Sequence, residues 1–394
     1  MSWATAPDTT KISQTTNTSV LVGVQGPGWG GSVTALENNG NRRWSVGNAI
    51  SYQGVSYLKN GSVLATFADG PYQQCGQFDS PCKRTGVRFI DPKSGKKIDD
   101  QWSYPVRTRK DSEVHDAEML PSGELLVADM EYESIYSYNL STGKQTWVWN
   151  ASQYYTAPPD PTTTDWLHIN DVDRIGPGRY LVSVRNTNQL IIIERGKGVV
   201  EVINKNRDPT VLNKQHNPHW LGDGAVLVAD SENNRVVELH RNESTGQWEE
   251  VWEVYEASGI SLDWPRDADR LPNGNTLITD SRNNRVVEIA RNGSVVSSYQ
   301  VPALPYEADR VPYDESFGQP YQFGDTGSVF GDHSTNIPIL SPLLTGVQHV
   351  IPTPFWVTEV HIFSALLAIT FWVLGGILIV KSWWSSLSHL TRHN

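Results

Sequence analysis

Four stretches of the 394-residue chain carry side chains in a pattern that could do chemistry: EVHDAEML (113–120), DWLHINDVD (165–173), KQHNPHWL (214–221) and DWPRDADRL (263–271). Each runs into a glycine turn, at Gly123, Gly176, Gly224 and Gly274, and eight residues before those glycines stand His115, His168, His216 and Arg266. A fifth copy, with its glycine at Gly61, has Gln53 in the same place. Side chains that share a phase in a repeat meet if the repeat closes around an axis, so three of the chain's 10 histidines and one arginine are expected to converge. Imidazole changes charge near neutral pH and guanidinium does not. Three chemistries fit that set, and hydrogen-bonded polar residues around axial water are the structural alternative. Three histidines are a zinc donor set, with Asp116, Asp171 and Asp267 to orient them or to suit calcium, although an adjacent arginine repels a metal. The set could instead bind an anion without reaction. Finally, one histidine could carry a transferring anionic group while another exchanges a proton and the arginine neutralises charge.

The elements that must position these residues are short strands. WLGDGAVLVADSENNRVVELHR (220–241) returns 50 residues later as RLPNGNTLITDSRNNRVVEIAR (270–291). Asp-Gly and Asn-Gly mark hairpins, and AVLVAD and NTLITD are strand-like. Weaker copies lie at LKNGSVLATF (58–67), LPSGELLVAD (120–129) and IGPGRYLVSV (175–184), and a sixth unit fits at 20–46. Units of roughly 47 residues with three or four strands each mark an all-β, six-bladed β-propeller. Five or seven blades, or a pair of β-sandwiches, are the competing arrangements. In a propeller the innermost strands line the axis, which is where the phased side chains would meet.

Composition narrows the partners. A net charge of −11 speaks against nucleic acid, and no G-x-x-x-x-G-K-S/T loop offers to cradle a nucleotide phosphate. The two cysteines, Cys75 and Cys82, frame CGQFDSPC and read as one local disulfide formed in an oxidising space. From Val360 to Val380 there are 21 residues without Asp, Glu, Lys or Arg, enough for a helix to cross a membrane. Trp356 before it and Trp383 and Trp384 after it suit an aromatic belt. Lys381 and Arg392 lie on one side and Glu359 on the other, which puts the tail in the cytoplasm and the propeller outside. Six Asn-x-Ser/Thr sites, at Asn17, Asn60, Asn139, Asn150, Asn242 and Asn292, all precede the span. Residues 1–16 have neither the basic stretch nor the apolar core of an export signal, so that placement calls for a segment upstream or for export directed by the span. The expected organisation is a disordered segment (1–19), the propeller (20–300), a Pro/Tyr-rich linker (301–355) that acts as a stalk or wraps the propeller, a transmembrane helix (356–382) and a cytoplasmic tail (383–394).

The chain resembles the PAPS-independent arylsulfotransferases. The resemblance is most specific in WLHINDVDRIGPGRYLVSVRN (166–186), where His168, Asn170 and Arg185 match the family's His-x-Asn…Arg set. KQHNPHWLGDGAVLVADS (214–231) resembles the stretch carrying the family's covalent nucleophile, here His216, and EVHDAE matches its other active-site histidine, here His115. The resemblance spans residues 20–300 and implies a six-bladed propeller with a central site and no cofactor. It implies transfer of a sulfuryl group from a phenolic sulfate ester to a phenol through a sulfohistidine. His216 would attack sulfur, His168, Asn170 and Arg185 would hold the oxygens, and His115 would exchange the proton. Such a transfer depends mainly on positioning and charge stabilisation. The chain departs from the pattern in lacking a disulfide near the nucleophile, in having no room for the N-terminal sandwich domain of bacterial members, and in its C-terminal span. His219, three residues past His216, faces the other side of an extended strand and is the rival nucleophile. Arg266 enters as a substrate-binding residue from the repeat phase alone. Of the 15 tryptophans, Trp166, Trp220 and Trp264 lie within four residues of phased positions and are expected to frame an aromatic pocket or to pack between blades, as Trp147 and Trp149 do. The competing functions are a non-enzymatic cell-surface propeller that binds glycans or proteins, and a metal-dependent hydrolase.

Overall fold

The computed structural model describes residues 20–313 apart from 27, 29, 108–111, 162–163 and 223, and then 318–321, 329–330, 340, 343 and 359–390. The expected disorder of 1–19, and Trp356 and Arg392, lie outside the described residues.

Six four-stranded antiparallel blades are present, as expected. The second strands of the blades, such as Leu125–Asp129, Ala225–Asp230 and Thr276–Asp280, are buried on both faces because each blade is covered by its two neighbours. The layers between blades are apolar. Leu126, Ile135 and Trp149 of the third blade meet Val182 and Ile191 of the fourth. Trp147 stacks on Tyr180 of the next blade with ring centroids 4.9 Å apart, the inter-blade role expected for it.

The ring closes at a place the sequence reading had assigned to the linker. Pro305–Arg310 is the inner strand of the first blade, paired antiparallel with Val20–Val24, while Gly31–Leu36 and Arg42–Ala49 complete that blade from the N-terminal side. The propeller therefore runs past residue 300. PYEADR (305–310) repeats PRDADR (265–270) of the sixth blade, and the likeness is hidden because no glycine hairpin follows the closing strand. Val329–Phe330 adds a parallel strand to the outer edge of the fifth blade, and buried Tyr321 lies under the guanidinium of Arg270, 3.4 Å from its ring centre.

Inner strands of neighbouring blades are edges, and their amides need acceptors. Carboxylates one and three residues after the phased position supply them. Asp116 and Glu118 accept from the N–H of Val172 and Arg174 at 3.3 and 2.7 Å. Asp267 accepts from Ala308 at 2.9 Å, and Glu307 and Asp309 accept from Val55 and Tyr57 at 2.8 and 2.7 Å. Where the fifth blade has Pro218 there is no such N–H to bind.

Cys75 and Cys82 form the expected disulfide, in the loop between the second and third strands of the second blade. The helix Glu359–Leu390 belongs to a separate unit, and its stretch Glu359–Leu378 is long and apolar enough to cross a membrane. It runs on through Trp383 and Trp384, beyond the expected boundary at 382.

Glu307→Ala should be among the most damaging substitutions outside the apolar layers. It leaves the buried Val55 amide and the Asn217 side chain, bonded to Glu307 at 2.8 Å, without acceptors. The expected loss is about 2–4 kcal/mol in urea unfolding, against less than about 1 kcal/mol for Glu307→Gln.

Candidate active site

Strand register decides which side chains are equivalent at the axis. Gly61, Gly123, Gly224 and Gly274 sit in left-handed turns with φ of +84°, +80°, +87° and +81°, but in the fourth blade that role belongs to Gly178 (φ +67°), not Gly176. Eight residues before Gly178 is Asn170. The pairing agrees, because Tyr52 faces Phe67, Val114 faces Asp129, Ile169 faces Val184 and Pro265 faces Asp280. The equivalent residues are Gln53, His115, Asn170, His216, Arg266 and, from the closing strand, Tyr306. This replaces His168 as the fourth member of the set. Each lies in or beside a break in the register of its inner strand, and such bulges re-aim side chains out of the pleat. None is more than 4% exposed.

His168 reaches the same place by another route. It precedes its strand in a left-handed conformation (φ +56°), as do Trp264 (φ +54°) and Leu304 (φ +62°) at the matching positions. That conformation is costly for a residue with a β-carbon and needs support. Glu133 provides it, its carboxylate accepting from the N–H of Leu167, His168 and Ile169 at 3.0, 2.7 and 3.1 Å. Burial pushes Glu133 up to about 7 against the pull of those amides. The His168 ring stands edge-on to His115, with centroids 5.3 Å apart, and its Nδ1 is 2.8 Å from Asp165. Burial raises the Asp165 carboxyl, but the bond and charge of His168, then the charge of Arg185, hold it below its usual range.

His216 is held in one neutral form. Its Nδ1 is 2.8 Å from Oγ of Ser231, and that hydroxyl donates to the carbonyl of Pro265 at 2.7 Å. With its hydrogen directed there, Ser231 accepts from Nδ1–H, and Nε2 keeps its lone pair. Burial, then the positive charges of Arg185 and Arg266 and the rings of His168 and His115, hold His216 well below the usual 6.5. Ser231 is itself fixed by the repeat DSxNNR. Asp230 accepts from Arg235 at 2.7 Å and from Asn213 N–H at 2.7 Å, and Asp280 does the same for Arg285 and Asp263 N–H at 2.7 and 2.8 Å. The equivalent Ser281 accepts from Nε of Arg266 at 3.0 Å.

The charges of Arg185 and Arg266 act on the His216 ring. The other hydrogen bonds of Arg266 run to neutral oxygens, namely Gln25 Oε1 at 2.6 Å and the carbonyls of Leu304 and Pro305 at 3.3 and 3.0 Å. Burial, then repulsion from Arg282 and Arg185, lower Arg266 to about 9, so it is still cationic at neutral pH. Arg185, in the turn after the second strand of the fourth blade, is 3.8 Å from Glu232, and its buried Nε has no hydrogen-bond partner. Asn170 donates to the carbonyl of Gln215 at 3.0 Å, while its Oδ1, like Oε1 of Gln53, is buried without a partner.

The other expected residues separate. Trp264 stands edge-on to His216 at 5.9 Å but is covered by Arg266 and Arg282, whose guanidinium carbons are 4.6 and 4.3 Å from its ring centre. Trp166 packs against the apolar layer between the third and fourth blades. Trp220 packs against Trp248, 6.3 Å away, in the next layer, so inter-blade packing is its role. His219 is bonded to Asp269 of the sixth blade at 3.0 Å. Among the described residues no group of three or more His, Cys, Asp or Glu is arranged to hold a metal ion, and Asp116 and Asp267 are engaged by amides instead. Sequence reasoning missed Tyr306, Ser231 and Glu133. The repeat PRDADR/PYEADR was the available signal for Tyr306 and the paired DSxNNR motifs were the signal for Ser231, whereas nothing in the sequence marks Glu133.

No family model matches the chain, and no curated protein matches it in sequence. Among solved structures it is similar to a protein of unknown function from Bacteroides caccae, at 17% identity and a TM-score of 0.53, over 76% of this chain and 100% of that one. It is also similar to a periplasmic gluconolactonase of Pseudomonas aeruginosa (14% identity, TM-score 0.48, 75% of this chain and 99% of that one). A third likeness is to virginiamycin B lyase of Staphylococcus aureus (14% identity, TM-score 0.40, 65% and 73%). At such identities the likeness bears on the fold alone.

The neutral state of His216 can be read from stability. An unfolded histidine titrates near 6.5, while His216 in the fold stays neutral well below that. The unfolded state therefore binds the extra proton as the pH falls below 6.5, so the stability that neutral His216 allows is present above that pH and lost beneath it. Relative to the parent, His216→Gln should gain up to about 1.4 kcal/mol per pH unit below the usual histidine value, measured by urea unfolding across that range. A pH-independent difference would mean that the folded ring takes up its proton normally.

Proposed function

We propose that the chain is an aryl sulfotransferase that moves a sulfuryl group from a phenolic sulfate ester to a phenol through a sulfohistidine on His216, with no nucleotide donor. One observation carries the reading: a buried imidazole fixed as its Nδ1–H tautomer, with its Nε2 lone pair kept among cationic side chains. A site that only bound an anion would gain from a protonated imidazole. A site that must form a bond to an electron-poor centre gains from this one.

In the first half-reaction the Nε2 lone pair of His216 bonds to sulfur as the bond from sulfur to the aryl oxygen breaks. The electron pair leaves on that oxygen, and His115 protonates it. In the second half the acceptor phenol loses its proton to His115 as its oxygen attacks sulfur, and the electron pair of the N–S bond returns to His216. Arg185, Arg266 and His168 meet the charge spread over the sulfuryl oxygens. Asn170 has a second amide hydrogen to offer beside the one bonded to Gln215. This reading also takes the helix Glu359–Leu390 as a membrane anchor, with the propeller on the extracytoplasmic face and Lys381 on the cytoplasmic side.

Incubation of the protein with nitrophenyl sulfate should place an adduct of about 80 Da on the peptide containing His216, and added phenol should discharge it. His216→Ala should abolish the adduct and His219→Ala should retain it. Arg185→Ala should slow turnover by about 10²–10³-fold, the effect of removing one preorganised charge donor. Phenol-independent hydrolysis that stops with a chelator would overturn this reading in favour of a metal hydrolase. Absence of both adduct and turnover would favour a binding propeller. For the anchor, protease added to intact cells should digest an epitope grafted at the exposed Asn60 turn and spare one at the C-terminus. The reverse pattern would overturn the orientation.

A further inference from the structure

Tyr306 belongs to none of the motifs behind the sulfotransferase resemblance and reaches the axis only through the closing strand. Its hydroxyl is 3.0 Å from Nδ1 of His115. Its ring is 5.2 Å from the ring of His115 and 5.9 Å from that of His216, and the guanidinium carbon of Arg266 lies 4.4 Å from its centre. It is fully buried. We propose that Tyr306 is a positioning residue that makes Nε2 of His115 the single proton-exchanging atom of the site, by accepting a hydrogen bond from Nδ1–H throughout the reaction. The inference rests on the sulfuryl-transfer reading of the same site.

The two half-reactions make opposite demands on His115. In the first it must give a proton to the leaving oxygen, and in the second it must offer a lone pair to the acceptor phenol. One nitrogen can meet both demands only if the other keeps its hydrogen in both states. His115 enters the first half as an imidazolium with hydrogens on both nitrogens and leaves it with one, on Nδ1. It regains the second from the acceptor. Nδ1–H must therefore have an acceptor that does not itself take up the proton. Tyr306 is suited to this. Burial pushes its hydroxyl well above 10 in spite of Arg266, so it stays a neutral phenol, and its Oη remains an acceptor. Glu113, with Oε2 3.9 Å from Nε2, adds a negative potential that favours the imidazolium of the first half. Arg266 and the two histidines pack the faces and edges of the Tyr306 ring, so its Oη is held in one place beside Nδ1 of His115.

The test is Tyr306→Phe in the full-length protein in detergent micelles, which keeps the ring and removes only the acceptor. A leaving nitrophenolate needs little protonation and a leaving phenolate needs much. The rate of adduct formation on His216 should change by less than about 3-fold with nitrophenyl sulfate and fall by about 10²-fold with phenyl sulfate. Equal losses with both donors would make Tyr306 merely structural and overturn the proposal. The tautomer is a second readout that does not depend on turnover. Nitrogen NMR of histidine-labelled parent protein should show neutral His115 as the Nδ1–H form, and the variant should show a mixture with Nε2–H. A parent ring carrying its hydrogen on Nε2 would overturn the proposal whatever the activity. If the parent forms neither adduct nor product, the transferase reading fails, and the NMR result still decides whether Tyr306 sets the tautomer.

Discussion

The structure depends on how the inner strands hold one another. Each blade ends at the axis in an edge strand whose outward amides are buried and cannot be met by water. Neighbouring inner strands do not pair into one sheet, so side-chain carboxylates supply the missing acceptors. Asp116 and Glu118 bind the fourth blade, Asp267 binds the first, and Glu307 and Asp309 bind the second. This use of acidic residues sets their charge against backbone dipoles at the strand, and it commits Asp116 and Asp267, beside the phased positions, to amides. The same inner strands then have one residue each, at the bulge, left over for chemistry.

The leftover residues are mostly bases, cations and amides. Cations next to this set act on it: burial and the charge of Arg282 lower the proton affinity of Arg185 and Arg266, and burial with the charges of Arg185 and Arg266 lowers that of His216. The tautomer of His216 is set by a serine on a turn that Asp230 and Arg235 hold rigid, so the orientation of the proposed nucleophile derives from the most regular part of the repeat.

Much of this was legible in the sequence, and the failures have definite causes. The blade count followed from hairpin glycines, because only glycine accommodates those left-handed turns without strain. The phased positions followed from the same glycines in four blades. In the fourth, Gly176-Pro177-Gly178 offered two candidates, and choosing the first shifted the phase by two residues, from Asn170 to His168. The structure brings both to the axis, Asn170 from the bulge and His168 from the turn before it, by two different routes. The tryptophans were harder to place. A ring two residues before an axial position and a ring four residues after it look alike in sequence, yet Trp264 lies at the site and Trp220 in an inter-blade layer, because Trp264 precedes its strand in a left-handed turn whereas Trp220 lies within its strand beyond the register break. Glu133 could not be found at all, since its partners are backbone amides of a segment more than 30 residues away.

Closure of the ring and assembly of the site are one event. The first blade takes three strands from the N-terminal side and its inner strand from Pro305–Arg310. That strand carries Tyr306, which touches both His115 and His216, and next to it Glu307, which binds the second blade through Val55 and reaches Asn217 of the fifth. Arg266 is in turn held by carbonyls of Leu304 and Pro305 and by Gln25 of the first blade. Until the two ends of the propeller have paired, His115 has no acceptor from Tyr306 and Arg266 has lost most of its oxygens. An open ring would thus expose an arginine and a set of histidines to water with no fixed geometry, and the proposed transfer belongs to the closed state alone.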